Sequence, residues 1–308
     1  MQFEGIVNVL KPPGMTSSDV VVDLRKIYGE KRVGHTGTLD PAAAGVLPIC
    51  IGRATRLFDY LVDKQKEYIA ELRFGQTTDT LDAFGVLTAE CECDVSSEQL
   101  IAVLPEFLGE IEQIPPIYSS LSVNGVKMYK LARRGEVTEP IEDRKRIVSI
   151  YQLELLDKLQ KNSFLIKIRC SKGTYIRSLC RDIGERLNVP AFMPFLLRTK
   201  SGKFGLENSF TIAELRDLKE TGELARTVTA MDEAVDHIPQ LQLNGLSARK
   251  KRLLINGAPI PFDDELKKGS VHRLYVDGEF IGLGVRGEEG LHVTVWLGSE
   301  DKQEKDGR

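Results

Sequence analysis

The segment Gly34-His35-Thr36-Gly37-Thr38-Leu39-Asp40-Pro41 constrains this chain more than any other. It concentrates two glycines, three hydrogen-bonding side chains and one carboxylate. Ala42-Ala43-Ala44-Gly45 then leads into the apolar run 46–51. A run this apolar and this short predicts a buried strand. The glycines permit tight backbone geometry, and Pro41 confines Asp40 to extended conformations. The expected result is a carboxylate held by a stiff loop at the mouth of a buried strand. Such a group is either preorganised for chemistry or a turn residue that satisfies loop amides.

The remaining pattern mixes strand and helix periods. Residues 5–10, 67–74, 147–156 and 164–170 predict strands, the last two joined by a polar turn at 158–162. Ser17 or Ser18 is expected to cap a helix bearing Val20, Leu24, Ile27 and Tyr28 on one face and ending at Gly29. Residues 54–62 predict a short helix, and 174–187 a longer one. Ser96 with Gln99 and Thr211 with Glu214 form capping boxes for two more. Near His237-Ile238-Pro239 the composition changes. Beyond it Ser247 caps a short basic helix, and short strands follow around the Asp277-Gly278 and 287–290 turns.

With 308 residues, 42% hydrophobic and 28% charged, the chain has room for a large domain and a small β-rich one. No run of about 18 apolar residues predicts a membrane span, and residues 1–10 do not have the form of a secretion signal. Five cysteines, an odd number, point to a reduced, cytoplasmic setting. Gly282-Leu283-Gly284-Val285-Arg286-Gly287 spells a dinucleotide fingerprint, but it lies between predicted strands and opens no helix. Cys91-Glu92-Cys93 and the four scattered histidines do not have metal-site spacing. No metal and no organic cofactor is expected.

The net charge of -3 hides a strong segregation. Residues 74–126 hold nine acidic residues and no Lys or Arg, whereas residues 123–181 hold fourteen basic and six acidic ones, a balance of +8. That distribution can build a basic face suited to a phosphate backbone.

The loop segment resembles the G-H-x-G-T-L-D-P-x-A-x-G-V-L signature of the tRNA pseudouridine synthase B family. Other blocks follow in order: Lys11-Pro12-Pro13-Gly14-Met15-Thr16-Ser17, Gly52-Arg53-Ala54-Thr55, Lys66-Glu67-Tyr68, Gly75 to Gly85 with Thr78, Thr80 and Asp82, Pro115-Pro116-Ile117-Tyr118-Ser119, and Lys172-Gly173-Thr174-Tyr175-Ile176-Arg177-Ser178-Leu179. The similarity spans residues 3–235. The C-terminal segment is similar, less closely, to the RNA-binding PUA domain. Two places depart from the family pattern: Ser119-Ser120-Leu121-Ser122 lacks the usual Ala and Lys, and Leu196-Leu197-Arg198-Thr199 keeps one arginine where two are common.

The resemblance implies an α+β catalytic domain over residues 1–236, built on a large, mixed, mostly antiparallel sheet with flanking helices. A small PUA-like β-barrel over 237–300 and a charged tail at 301–308 would follow. It implies isomerisation of uridine 55 in the TΨC loop of tRNA, with Asp40 as the catalytic carboxylate. Tyr68 would stack on the extruded base and serve in proton transfer at C5, and Arg177 would pair with Asp40. Tyr175 and Leu196 would line the uracil pocket, His35 would contact the target loop, and Lys11 and Pro12 would support the active-site loop. The expected partner is the tRNA TΨC stem-loop, with the enzyme acting as a monomer. An RNA-folding chaperone on the same scaffold is the alternative, and a guide-RNA-directed enzyme in a multi-protein particle is a second.

Overall fold

A computed structural model describes residues 3–62, 65–123, 125–137, 144–262 and 266–298. The charged tail expected at 301–308 lies outside the described residues. Among those described, ten strands form one mixed sheet. They are β1 (Gly5–Lys11), β2 (Val33–His35), β3 (Ala44–Ile51), β4 (Lys66–Phe74), β5 (Gly109–Gln113), β6 (Arg146–Gln160), β7 (Ser163–Cys170), β8 (Ala191–Ser201), β9 (Phe204–Gly205) and β10 (Val228–Thr229). The spatial order is β10-β1-β3-β8-β4-β7-β6-β5, with β2 on β3 and β9 on β8. Neighbours run antiparallel except β3 and β8, which are parallel through Leu197↔Ala44 and Arg198↔Gly45.

Strand β3 is buried from Gly45 to Ile51, as its apolar run predicts. Strand β4 alternates buried and half-buried residues along its whole length, so one face packs on the core and the other meets solvent. Gly45 sits at φ +117°, and a Cβ there would collide with the Arg198 backbone. Only glycine lets β8 come this close to β3, directly after the Asp40 loop.

Helix α1 (Ser17–Tyr28) buries Val20, Leu24, Ile27 and Tyr28 and ends at Gly29 in the left-handed region. Its cap is Thr16 rather than Ser17 or Ser18, because Asp19 at the third helical position closes a reciprocal capping box with Thr16. The freed Ser17 hydroxyl turns inward to Leu39. The capping boxes of α2 (Ser97–Val103) and α4 (Ile212–Glu220) form as expected. Helix α3 (Ile176–Arg186) begins two residues later than its sequence suggests, because the Tyr175 amide donates to the Gln113 side chain instead. Residues 54–62, expected as one helix, divide into a 3₁₀ segment Gly52–Leu57 and a turn of α-helix Phe58–Val62.

In the C-terminal region Ser247 caps α5 (Ala248–Ile255), and four described strands form a second sheet. These are β11 (Gln240–Leu243), β12 (Val271–Val276), β13 (Glu279–Arg286) and β14 (Leu291–Trp296), in that order. The fingerprint-like glycines fall in and just after β13 and open no helix. Leu283 and Leu297 pack with Ile6, Val46, Cys50 and Leu57, which joins the second sheet to the first. Arg53 adds a polar latch. It pairs with Glu4 and donates to the carbonyls of Leu297 and Gly298, while Arg56 reaches the Trp296 carbonyl at 2.7 Å. Among the described residues, no helix is long and apolar enough to cross a membrane.

Candidate active site

Asp40 lies in the loop between β2 and β3, and its neighbours hold that loop from three sides. From α1, the Ser17 hydroxyl donates to the Leu39 carbonyl at 3.1 Å and accepts from the Leu39 amide at 2.9 Å. From the end of β1, the Lys11 ammonium donates to the carbonyls of Pro12 (2.8 Å), Met15 (2.7 Å) and Pro41 (3.5 Å). Burial pushes the Lys11 pKa down to about 8, against the attraction of Asp40. The Gly14 amide also donates to the Pro41 carbonyl at 2.8 Å. Pro12 is exposed, and its carbonyl is the group that Lys11 engages.

The third support is Arg198, only 1% exposed in β8. Its Nε donates to the Val46 carbonyl at 2.7 Å, its Nη2 to Gly37 at 3.2 Å and its Nη1 to Thr38 at 3.4 Å. It also stands opposite Tyr68, its cross-strand partner on β4, and its charge draws the Tyr68 phenol downward against burial. Arg198 therefore links the loop of Asp40 to Tyr68. Burial lowers the pKa of Arg198, while Tyr68 and Asp40 raise it. Burial pushes the Tyr68 phenol up to about 12, so it is protonated at neutral pH.

Arg177 comes from the first turn of α3, where the helix packs it under Asp40. Its Nε stands 2.8 Å from Asp40 Oδ2, an ion pair without hydrogen-bond alignment. Its Nη1 donates to the Thr80 carbonyl at 2.7 Å and lies 3.7 Å from Asp82 Oδ2, and its Nη2 donates to the Tyr118 carbonyl at 2.9 Å. Arg177 is buried, while the Asp40 side chain remains 33% exposed. The arrangement presents one oriented carboxylate at a surface opening, with a buried cation behind it. Such a carboxylate can counter positive charge developing on a sugar, attack it, or take a proton from it.

The other expected residues lie at the start of α3, on β8 and at the end of β2. Tyr175 caps α3 two residues before Arg177. The Gln113 side chain clamps its backbone from both sides, donating to its carbonyl and accepting from its amide, and the Arg146 guanidinium lies 5.2 Å from its ring centre. Leu196 is buried on β8, on the same face as Arg198. His35 ends β2; burial and the Arg198 charge lower its pKa, and its Nδ1 is buried with no partner. Arg198 and Asp82 fall inside the motif blocks, but the resemblance assigns neither a role. The signal was a cation and a carboxylate retained in blocks that otherwise bear on the site. Gln113 carried no local signal, since its partner Tyr175 lies 62 residues away.

Two family descriptions match the chain: "TruB family pseudouridylate synthase (N terminal domain)" over residues 25–176, and "tRNA pseudouridylate synthase B C-terminal domain" over residues 177–236. The tRNA pseudouridine synthase B of Caldanaerobacter subterraneus subsp. tengcongensis is 44% identical, over 92% of this chain and 96% of its own length. That of Clostridium perfringens is 39% identical, over 96% and 99%. Among solved structures, a Cbf5-Nop10-Gar1 complex aligns with a TM-score of 0.70 at 29% identity, covering 96% of this chain and 84% of the matched one. An H/ACA RNP bound to a substrate RNA containing 2'-deoxyuridine aligns with a TM-score of 0.69 at 28% identity, with the same coverage.

Proposed function

Because the chain belongs to the TruB family of pseudouridylate synthases, we propose that it converts uridine 55 in the TΨC loop of tRNA to pseudouridine, with Asp40 as the catalytic carboxylate. The reaction breaks the bond between uracil N1 and ribose C1′, turns the base, and rejoins it through C5. Neither oxidation nor group transfer to a second molecule occurs. Cleavage leaves positive charge on the sugar, and an anion placed at C1′ stabilises it.

The observation that carries this reading is the Asp40–Arg177 ion pair at a surface opening, linked through Arg198 to a neutral Tyr68 hydroxyl. The Tyr68 phenol is protonated at neutral pH, so it has a proton to serve a substrate atom. Target uridines are stacked in folded RNA and must be extruded, and Tyr68 offers the aromatic face that receives the base. His35, Tyr175 and Leu196 complete the proposed substrate site. The close relatives act on tRNA by name, which favours a tRNA substrate over the partner-bound RNA of the more distant H/ACA neighbour.

The test is tritium release from C5-labelled uridine in an unmodified tRNA transcript, with wild type and Asp40→Asn side by side. Release by wild type alone, with both proteins binding tRNA, is the expected result. Turnover by a clean Asp40→Asn sample removes Asp40 from its role. A folded, tRNA-binding wild type that releases nothing leaves the RNA-folding alternative, which a tRNA annealing assay reads directly.

A further inference from the structure

Tyr175 is held by a single rung of the sheet. Gln113 at the end of β5 and Arg146 at the start of β6 are directly opposite cross-strand partners. Gln113 is fully buried and grips the Tyr175 backbone. Its side-chain oxygen accepts from the Tyr175 amide at 2.7 Å, and its nitrogen donates to the Tyr175 carbonyl at 3.0 Å. Arg146 takes the ring, with its guanidinium 5.2 Å from the ring centre. The polar contacts of Arg146 are few: Nε is buried with no hydrogen-bond partner, and Nη1 reaches the Gly173 carbonyl at 3.4 Å. Guanidinium and ring therefore order each other. Among the described residues the Tyr175 hydroxyl makes no hydrogen bond, so the ring has no polar tether of its own.

The start of a helix does not need both Gln113 bonds. In a capping box the third helical residue accepts from the cap amide. In α3 that residue is Ser178, whose hydroxyl donates instead to the Ile114 carbonyl at 2.8 Å. Gln113 supplies the missing acceptor from another element. Its second bond rescues no orphan, because the Tyr175 carbonyl already accepts from the Leu179 amide at 3.0 Å. What that bond adds is orientation. A residue gripped at both N–H and C=O cannot turn, and its Cα–Cβ direction is fixed with it. Arg177 has no need of this clamp, since the Thr80 and Tyr118 carbonyls and Asp82 hold its guanidinium. Resting on the function proposed above, in which Tyr175 lines the uracil pocket, we infer that Gln113 is a positioning residue that acts on the reaction through Tyr175. The rung aims the aromatic side chain, and the Asp40–Arg177 pair is aimed by other contacts.

The experiment is a double-mutant cycle on the full chain: wild type, Gln113→Met, Tyr175→Leu and the double variant, read by tritium release and by tRNA binding. Gln113→Met keeps the side-chain length and removes both bonds. It should lower kcat about thirtyfold, short of the order of 100-fold that a misplacement of about 1 Å costs, because Arg146 still grips the ring. KM and tRNA affinity should stay within about threefold of wild type, since the clamp aligns a base that is already bound. In the Tyr175→Leu background the same substitution should cost less than about threefold, because the ring it positions is gone. Where Gln113→Met does not fold, Gln113→Glu runs the same cycle. Its carboxylate has no donor for the Tyr175 carbonyl, and Arg146 across the rung offsets its charge. A folded variant with wild-type kcat overturns the inference, as does a loss that falls on KM and binding. So does an equal loss in both backgrounds, which marks a merely structural residue. A wild type that binds tRNA and releases no tritium refutes the enzymatic reading itself, and the inference falls with it.

Discussion

Replacing Arg198 by Met is the sharpest test of how the site is built. The substitution keeps most of the side-chain volume and removes every donor. The Val46 carbonyl then loses a 2.7 Å bond inside a fully buried strand. An unmatched buried acceptor costs about 1–3 kcal/mol. The Gly37 and Thr38 carbonyls lose longer bonds, at 3.2 and 3.4 Å, and add less. Acting in the other direction, Met relieves the chain of a buried cation whose charged form burial disfavours. The net expectation is a loss of about 2–3 kcal/mol, read as a lower urea midpoint with an unchanged slope. The effect on chemistry is larger. Without Arg198 the Asp40 loop loses its tether to β8, and a misplacement of about 1 Å costs on the order of 100-fold in rate. Tritium-release kinetics should therefore show kcat reduced about 100-fold and KM changed little. Arg198→Lys should fall between, because one ammonium cannot span the fork of acceptors. A folded Arg198→Met protein with kcat within about threefold of wild type would refute the tether, since the loop would then hold its geometry unaided.

Three further outcomes follow from the same contacts. Lys11→Met leaves the Pro12, Met15 and Pro41 carbonyls without their shared donor and should lower both thermal stability and kcat, measured by melting and by tritium release. Titration should show opposed slopes. Lys11 has a folded pKa of about 8, below its unfolded value, so stability rises with pH from there to about 10.5. Tyr28 and Tyr68 are raised to about 12, so their contribution is lost as pH climbs from about 10 toward 12. Tyr68→Phe should make that alkaline fall shallower by about 1.4 kcal/mol per pH unit, followed by urea unfolding at stepped pH. Arg53→Ala removes the latch to Glu4, Leu297 and Gly298, and limited proteolysis should then cut faster in the connection near His237.

What could be read without coordinates divides along a physical line. Strands β1, β3, β4 and β7 announce themselves by local apolar pattern, and α2, α4 and α5 by local caps. Strand β8 does not, although it lies at the centre of the sheet. Pro194 and exposed Phe195 interrupt its alternation, and its register with β4 shifts between Phe192 and Phe195. Its parallel pairing with β3 joins segments about 150 residues apart, which no local window contains. The site divides in the same way. The Asp40 loop stands out by composition, and the family resemblance supplied Arg177 and Tyr68. The Gln113 clamp and the reach of Arg198 to Val46 depend on folded proximity alone. The α1 cap, expected at Ser17 or Ser18, falls on Thr16 because Asp19 three residues on closes its capping box.

The wiring of Arg177 decides which substitutions isolate chemistry from structure. Its Nη1 and Nη2 bind the Thr80 and Tyr118 carbonyls, and Asp82 lies beside Nη1. Only Nε is committed to Asp40. The guanidinium therefore keeps its place when Asp40 changes, and Asp40→Asn removes a charge at the opening while the buried cation stays held. Asp82 is different. It receives the Phe84 amide and the Thr80 hydroxyl as well as the charge of Arg177, so Asp82→Asn disturbs the anchor and its loop together. An inactive Asp40→Asn that still binds tRNA speaks about the reaction. An inactive Asp82→Asn speaks about the scaffold that aims Arg177, and its stability should fall as well. Comparing the two separates loss of the carboxylate from loss of its support, and the Asp40 assignment rests on their behaving differently.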